Sequence, residues 1–250
     1  MNDVLQFRPV TLADQSLLRE HTMLFCGKNC DLNFMNIFSW SFLYQTEISQ
    51  WKNHLIFRFK ADGHNAYMRI FESDDLQEIL EILIDESERS NHPFLLMGVD
   101  EGLIPDIEKA KPGYFVYEYD RDYCDYIYRK ADEEERTSMQ RVFNSWDELD
   151  GTGGAIFIGK ELIAFTYGAP INDCVFDVCV EKANPEYEGS YATINKEFVT
   201  HLPQHYTFIN REEDLGLEGL RKSKLSYHPE ILLKKYAVMA KHHFKDGHVR

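Results

Sequence analysis

GAIFIGKELIAFTYGAPINDCVFDVCVEKA, residues 154–183, decides the fold. GAIFIG (154–159) and LIAFTYGAPI (162–171) are strand-like runs on either side of Gly159-Lys160-Glu161, and so read as a hairpin. Asn172-Asp173 is a second turn signal, and CVFDVCVEKA (174–183) adds a third strand. The period then changes. Residues 191–202 carry Ile194, Phe198 and Val199 on one helical face, and YTFIN (206–210) returns to strand. A helix and a final strand, ILLKKYAVMA (231–240), follow.

The N-terminal half has the same order. HLIFRFK (54–60) and AYMRIF (66–71) flank Asp62-Gly63 and read as a hairpin. Residues 74–89 place Leu76, Ile79, Leu80, Leu83 and Ile84 at helical spacing. FLLMGV (94–99) is a strand, Ile104–Ala110 a short helix starting at a proline, and YFVYEYD (114–120) a strand. Ahead of these, FRPV (7–10) is a short strand, Thr11 or Asp14 caps the next helix, and the aromatic-rich residues 33–44 form a buried helix. Each half runs hairpin, helix, strand, helix, strand. That is the order of an N-acyltransferase-type domain. The expected fold is α+β: two tandem GNAT-like domains, with mixed, mostly antiparallel sheets flanked by helices. The expected division is 1–118 and 119–250, with the site in the second part. ADEEER (131–136) is the most linker-like stretch.

The 250 residues are 44% hydrophobic, enough for a real core, and carry a net charge of −15. That balance argues against a free-standing nucleic-acid grip or an anionic-membrane binder, while leaving room for a local basic site. No apolar run is long enough to span a bilayer, and MNDVLQFRPV has no signal pattern. The five cysteines, Cys26, Cys30, Cys124, Cys174 and Cys179, are odd in number and contain no CxxC, which points to reduced thiols and a cytoplasmic location. Cys26 and Cys30 are one helical turn apart without partnering histidines, and His201 and His205 are separated by Pro203. No metal is expected.

INREEDLGLEGLRKSKLSYHPEILLKKY (209–236) carries a mixed pattern. At about 100° per residue, Arg221 and Lys224 fall inside the arc of Leu217, Leu220 and Leu225, while Lys222 falls outside it. Inward cations need partners, because an unpaired buried charge is costly. Glu212, Glu213 and Asp214 lie just upstream. Two readings stand: an internal ion-pair cluster that docks the helix, or the floor of an anion site.

In this fold an acetyl-CoA enzyme cradles pyrophosphate at a helix N-terminus, through Gln/Arg-x-x-Gly-x-Gly/Ala. The equivalent here is PEYEGSYATIN. Gly189 fits, but Glu186 and Glu188 are repulsive and Tyr191 fills the last small position. No cofactor is expected. Glu181 and Lys182 end a strand; Glu181 can act as a base or hold an amine, and Lys182 can be its ion-pair partner. Asn195 lies four residues beyond Tyr191. Arg211, Glu212 and Asp214 end the next strand, with Asp214 as N-cap of the helix after it. Tyr227 can give a proton to a leaving hydroxyl or be a core tyrosine. Lys235, a substrate-binding candidate, and Tyr236 should point to opposite faces. Acyl transfer to an amine needs positioning, a cation from Arg211, Arg221 or Lys224, and a base from Glu181 or Glu212.

Four stretches carry a resemblance: YDRDYCDYIY (119–128), IAFTYG (163–168), EKANPEYEGSYATINKEF (181–198) and residues 209–236. They resemble a bacterial family related to the C-terminal catalytic domain of phosphatidylglycerol lysyltransferases. FRPVTLAD (7–14) and residues 33–44 match it more loosely. The resemblance implies a tandem acyltransferase-like fold, and relatives that move an aminoacyl group from charged tRNA to a lipid, peptide or protein. The lysyltransferases also carry a membrane-spanning region, which has no counterpart in these residues. The family usually has a basic segment before the equivalent of ADEEERTSMQRVF; here Lys130 runs directly into Ala131, which weakens the tRNA reading. The leading expectation is an aminoacyl or acyl transferase with aminoacyl-tRNA as donor. The alternatives are a CoA-dependent N-acyltransferase and a non-catalytic anion-binding module. Acceptor and oligomeric state stay open.

Overall fold

The structure is a computed structural model. It describes every residue except 1–4, 24–26, 53, 69–74, 120–130, 215, 246–247 and 250. Its elements are β1 (Arg8–Pro9), α1 (Asp14–Met23), α2 (Phe34–Tyr44), β2 (Glu47–Trp51), β3 (His54–Ala61), β4 (His64–Met68), α3 (Leu76–Arg89), β5 (Leu95–Asp100), α4 (Ile104–Ala110) and β6 (Phe115–Glu118). The chain continues through α5 (Ala131–Asn144), β7 (Thr152–Ile158), β8 (Glu161–Pro170), β9 (Val175–Ala183), α6 (Ser190–His201), β10 (Phe208–Asn210), α7 (Glu218–Ser226), β11 (Lys235–Ala240), β12 (Phe244–Lys245) and β13 (His248–Val249). The repeated order of hairpin, helix and strand is present in both halves, and the fold is the expected mixed, mostly antiparallel α+β architecture.

The chain forms two compact units. The first comprises the described parts of Met1–Val10, Trp40–Arg129 and Asp214–Arg250; the second, those of Thr11–Ser39 and Lys130–Glu213. Neither follows the expected boundary at 118/119. β5 and β6 do not pair with each other; β11 hydrogen-bonds antiparallel to both, so the last long strand completes the first sheet.

In the first unit the sheet order is β1-β2-β3-β4-β5-β11-β6. α3 is the crossover between the parallel strands β4 and β5. Its Leu76, Ile79, Leu80, Leu83 and Ile84 are all buried, as the spacing predicts, and share a core with Phe94, Phe115 and Val238. Lys235 begins β11 in register with Asp100 and is buried, whereas Tyr236 is half-buried. The final strand is shorter than expected, because Ile231 and Leu232 lie outside it and are exposed.

In the second unit the order is β10-β9-β8-β7, with β9 and β10 parallel and α6 crossing between them. α6 covers one face through Phe198 against Phe176 and Val178. On the other face Phe143 and Trp146 meet Tyr167. ADEEER is not a linker. It begins α5, as its alanine, glutamates and arginine favour. Both expected N-terminal caps cooperate at α1, where Asp14 Oδ2 accepts from the Thr11 N–H and hydroxyl.

Candidate functional site

β10 pairs with β9 only from Val175 to Asp177, while β9 continues to Ala183. Beyond Asp177 the pairing ends, since β10 stops at Asn210 while β9 runs on, and the carboxyl ends of parallel strands are where open α/β sheets place ligands. A bulge shapes this edge. Between the pairs Tyr167↔Val180 and Ala169↔Asp177, β8 advances two residues and β9 three. The extra residue reverses the facing of β9. Gly168 sits opposite the bulge, where a Cβ would collide with the Asp177 backbone. The Thr166 hydroxyl donates to the Val180 carbonyl at 2.8 Å.

The reversal puts Glu181 on the α6 side. Asn195 donates to Glu181 Oε2 at 3.0 Å, and Arg211 donates to Oε1 at 3.1 Å. The Glu181 side chain is 14% exposed. Three expected site residues therefore converge. Lys182 does not join them: successive strand residues face opposite ways, and Lys182 Nζ pairs with Glu135 of α5 at 2.8 Å. At the start of α6, Gly189 adopts a left-handed φ of 78° as N-cap, with open space where a side chain would be. Glu186, Glu188 and Tyr191 are exposed around it.

The opposite face of β9 carries a second cluster, which the sequence reading missed. Asp177 is fully buried, and its Oδ2 accepts from Asn33 at 2.9 Å and Asn36 at 3.3 Å. Asn36 also donates to Glu212 Oε1 at 2.6 Å. Glu212 has a left-handed φ of 53°, held by its N–H donating to Asn210 Oδ1. Burial, with Asp177 and Glu212 adding to it, pushes the Cys179 thiol well above its ordinary value, and Tyr167 is also raised, chiefly by burial. A lone aspartate inside the apolar run VFDVCV was the signal. Asp177, Cys179 and Glu212 are close enough to share an ion, as are Cys30, Asp31 and Glu213. Cys30 Sγ donates to Glu213; Cys26 lies outside the described residues.

Asp214, Arg221, Lys224, Tyr227 and Lys235 belong to the first unit. Arg221 donates to Asp214 through Nε at 2.7 Å and Nη2 at 2.9 Å. Leu217, not Asp214, is the N-cap of α7; Asp214 instead accepts from the Gly216 N–H. The leucine arc does not face a core. No residue of α7 is buried, and Leu217 and Leu225 are exposed. The wheel gave the facing of the cations better, since Arg221 and Lys224 are half-buried and Lys222 is exposed. Tyr227 is exposed at the helix end and is not a core tyrosine.

The family model described as phosphatidylglycerol lysyltransferase, C-terminal, matches residues 129–239. A crystal structure of a conserved protein of unknown function from Bacteroides thetaiotaomicron is 32% identical, with a TM-score of 0.90 over 94% of this chain and 99% of that one. The C-terminal domain (DUF2156) of an Agrobacterium fabrum protein described as a lysylphosphatidylglycerol synthetase shares the fold, with a TM-score of 0.58 and 8% identity over 91% of this chain and 92% of that one. A Mycoplasmoides gallisepticum protein is 26% identical over 84 residues, 34% of this chain and 27% of that protein. The match thus spans about a quarter of that relative's length. Among the described residues no helix is long and apolar enough to cross a membrane.

Proposed function

Because this chain belongs to the family of the Bacteroides thetaiotaomicron protein and is related to the phosphatidylglycerol lysyltransferase C-terminal domain, we propose that it transfers an aminoacyl group from charged tRNA to an amine or hydroxyl acceptor. The observation that supports this is the Glu181 carboxylate, held by Asn195 and Arg211 beyond the paired ends of β9 and β10. Glu181 takes the proton of the acceptor as its nitrogen or oxygen attacks the ester carbonyl. The new bond forms to the carbonyl carbon, the bond to the ribose oxygen breaks, and the proton passes to the released ribose hydroxyl. Arg211 orients Glu181 and offers N–H donors toward the developing oxyanion. In this proposal Arg221 docks α7 through Asp214, and Gly189 and Tyr191 border the donor. Glu212 stays on the opposite face of β9, held by Asn36. Lys224, Tyr227 and Lys235 have no assigned step.

The exposed Glu186 and Glu188 beside Gly189 oppose a pyrophosphate at the α6 N-terminus, which disfavours CoA as the donor. The test is transfer of radiolabelled aminoacyl groups from a mixed charged-tRNA pool to cell extract. Glu181→Gln should lower transfer by about a hundredfold or more. Label leaving tRNA no faster than in buffer sinks the proposal. Micromolar binding of acetyl-CoA by calorimetry would promote the CoA reading.

A further inference from the structure

We infer that the outer edge of β7 pairs with the same edge of a second copy of this chain, joining two four-stranded sheets across a two-fold axis. β7 is the last strand in the order β10-β9-β8-β7, and β8 is its one neighbour among the described residues. Strand edges left open are usually blunted by charges, proline or a bulge. β7 has none of these. TGGAIFI (152–158) holds no charged residue and no proline. Its pairing with β8 shifts between Ile156 and Phe157, but the extra residue is in β8. Phe157 is 60% exposed and Ile158 54%.

The strand itself selects the occupant. Antiparallel pairing of β7 with its own copy engages all 7 residues in one register only, with Ala155 opposite Ala155 on the axis. The ends of the strand fix that register, and its complementarity follows without adjustment. Phe157 falls opposite the partner's Gly153 and Ile156 opposite the partner's Gly154, so each large side chain meets a position that has none. The half-buried Trp146 ring lies 3.2 Å from where a Cβ on Gly153 would sit, and it gives the incoming Phe157 an aromatic surface to pack on. Just beyond the paired residues, Lys160 reaches the partner's Asp150. Lys160 is exposed, makes no ion pair among the described residues, and is the only cation between Arg141 and Lys182. Asp150 accepts from Arg19 through Oδ2, which leaves Oδ1 for a second donor. The two-fold repeats every match and uses up both edges, so the assembly closes as a dimer. An unrelated peptide would take the backbone hydrogen bonds, but nothing in it would set a glycine opposite Phe157 or a lysine opposite Asp150.

The inference is independent of aminoacyl transfer. The test is sedimentation equilibrium of the full chain at about 0.15 M salt, where the repulsion between two chains of charge −15 is screened beyond roughly 8 Å. The wild type should form a dimer with a micromolar dissociation constant, as fits a small interface. Lys160→Glu and Asp150→Lys should each weaken self-association by about tenfold or more, because like charges then face each other twice. An equimolar mixture of these two variants should recover the dimer, since each chain restores the opposite charge to the other. Phe157→Lys should weaken self-association by a similar factor. Lys160 and Phe157 are exposed, so their substitution should leave the melting temperature unchanged. A wild type that stays monomeric at about a hundred micromolar overturns the inference; protection of its β7 amides from hydrogen exchange would then give the edge to another part of the same chain. A dimer that none of the substitutions weakens overturns it in favour of another face, and a mixture that stays monomeric overturns the proposed register.

Discussion

Asn195 reaches Glu181, at 3.0 Å, because β9 carries one residue more than β8 between Asp177 and Val180. In a regular strand Asp177, Cys179 and Glu181 would share a face. The bulge instead leaves Phe176 and Glu181 toward α6 and sends Asp177 the other way. One residue of register thereby separates a site facing α6 from a buried carboxylate cluster.

Asn195 is a positioning residue on this account, and its role is testable apart from stability. Asn195→Asp keeps the size but sets a second carboxylate against Glu181, which favours the protonated form of the pair. The acid limb of the transfer rate should move to higher pH, and Asn195→Gln should restore part of the rate with no such movement. An unchanged pH profile in the aspartate variant would show that Glu181 is not the group titrating.

Gly168 should tolerate no side chain. A Cβ there meets the Asp177 backbone, which cannot swing aside as a flexible side chain could. Gly168→Ala should cost about 2 kcal/mol or more, in the range of strained or overpacked substitutions. Urea denaturation measures it. A midpoint within error of the wild type would mean that the bulge relaxes freely.

Asn33 and Asp177 form a buried pair at 2.9 Å. Removing the amide with Asn33→Ala leaves the carboxylate one donor short, and hydrogen bonds to charged groups contribute about 1.5–3 kcal/mol. The Lys182–Glu135 pair is partly solvated, with side chains 35% and 23% exposed. Lys182→Ala should therefore cost under about 1 kcal/mol. The same denaturation series ranks the two, and the reverse order would contradict the assignment of Asp177 to the interior.

Local chemistry made much of this legible. The turn at Gly159-Lys160, the period of α3 and the crossover helix α6 follow from residues close in sequence. Partner choice does not. Nothing in KYAVMA says that β11 joins the first sheet, because a strand's pattern shows its buried face and not its neighbour. Helix α7 failed for a related reason: a wheel locates the leucine arc but not whether anything covers it. Glu181 and Lys182 look like partners when read as letters, and alternation along the strand separates them. Glu181 and Arg211 were candidates because each stands at or just past the end of a strand, and the structure brings both together with Asn195 of α6. Asp177 was visible as an aspartate in an apolar run, but its donors Asn33 and Asn36 come from more than a hundred residues away.

Cys179 gives the fold a pH dependence of predictable sign. In the unfolded chain a thiol ionises near about pH 8.5. In the fold, burial and the carboxylates of Asp177 and Glu212 keep it protonated well above that. Between those two values the unfolded state has lost a proton that the folded state still binds, so stability falls as pH rises. Below about pH 8.5 both states hold the proton and the contribution is flat. Cys179→Ala removes the titrating group and with it this part of the slope. Urea midpoints at about pH 7 and about pH 9.5, below the range in which most tyrosines ionise, should therefore separate more for the wild type than for the variant. Equal separations would mean that the thiol ionises in the fold as it does in the unfolded chain, and would remove the carboxylate cluster as its environment.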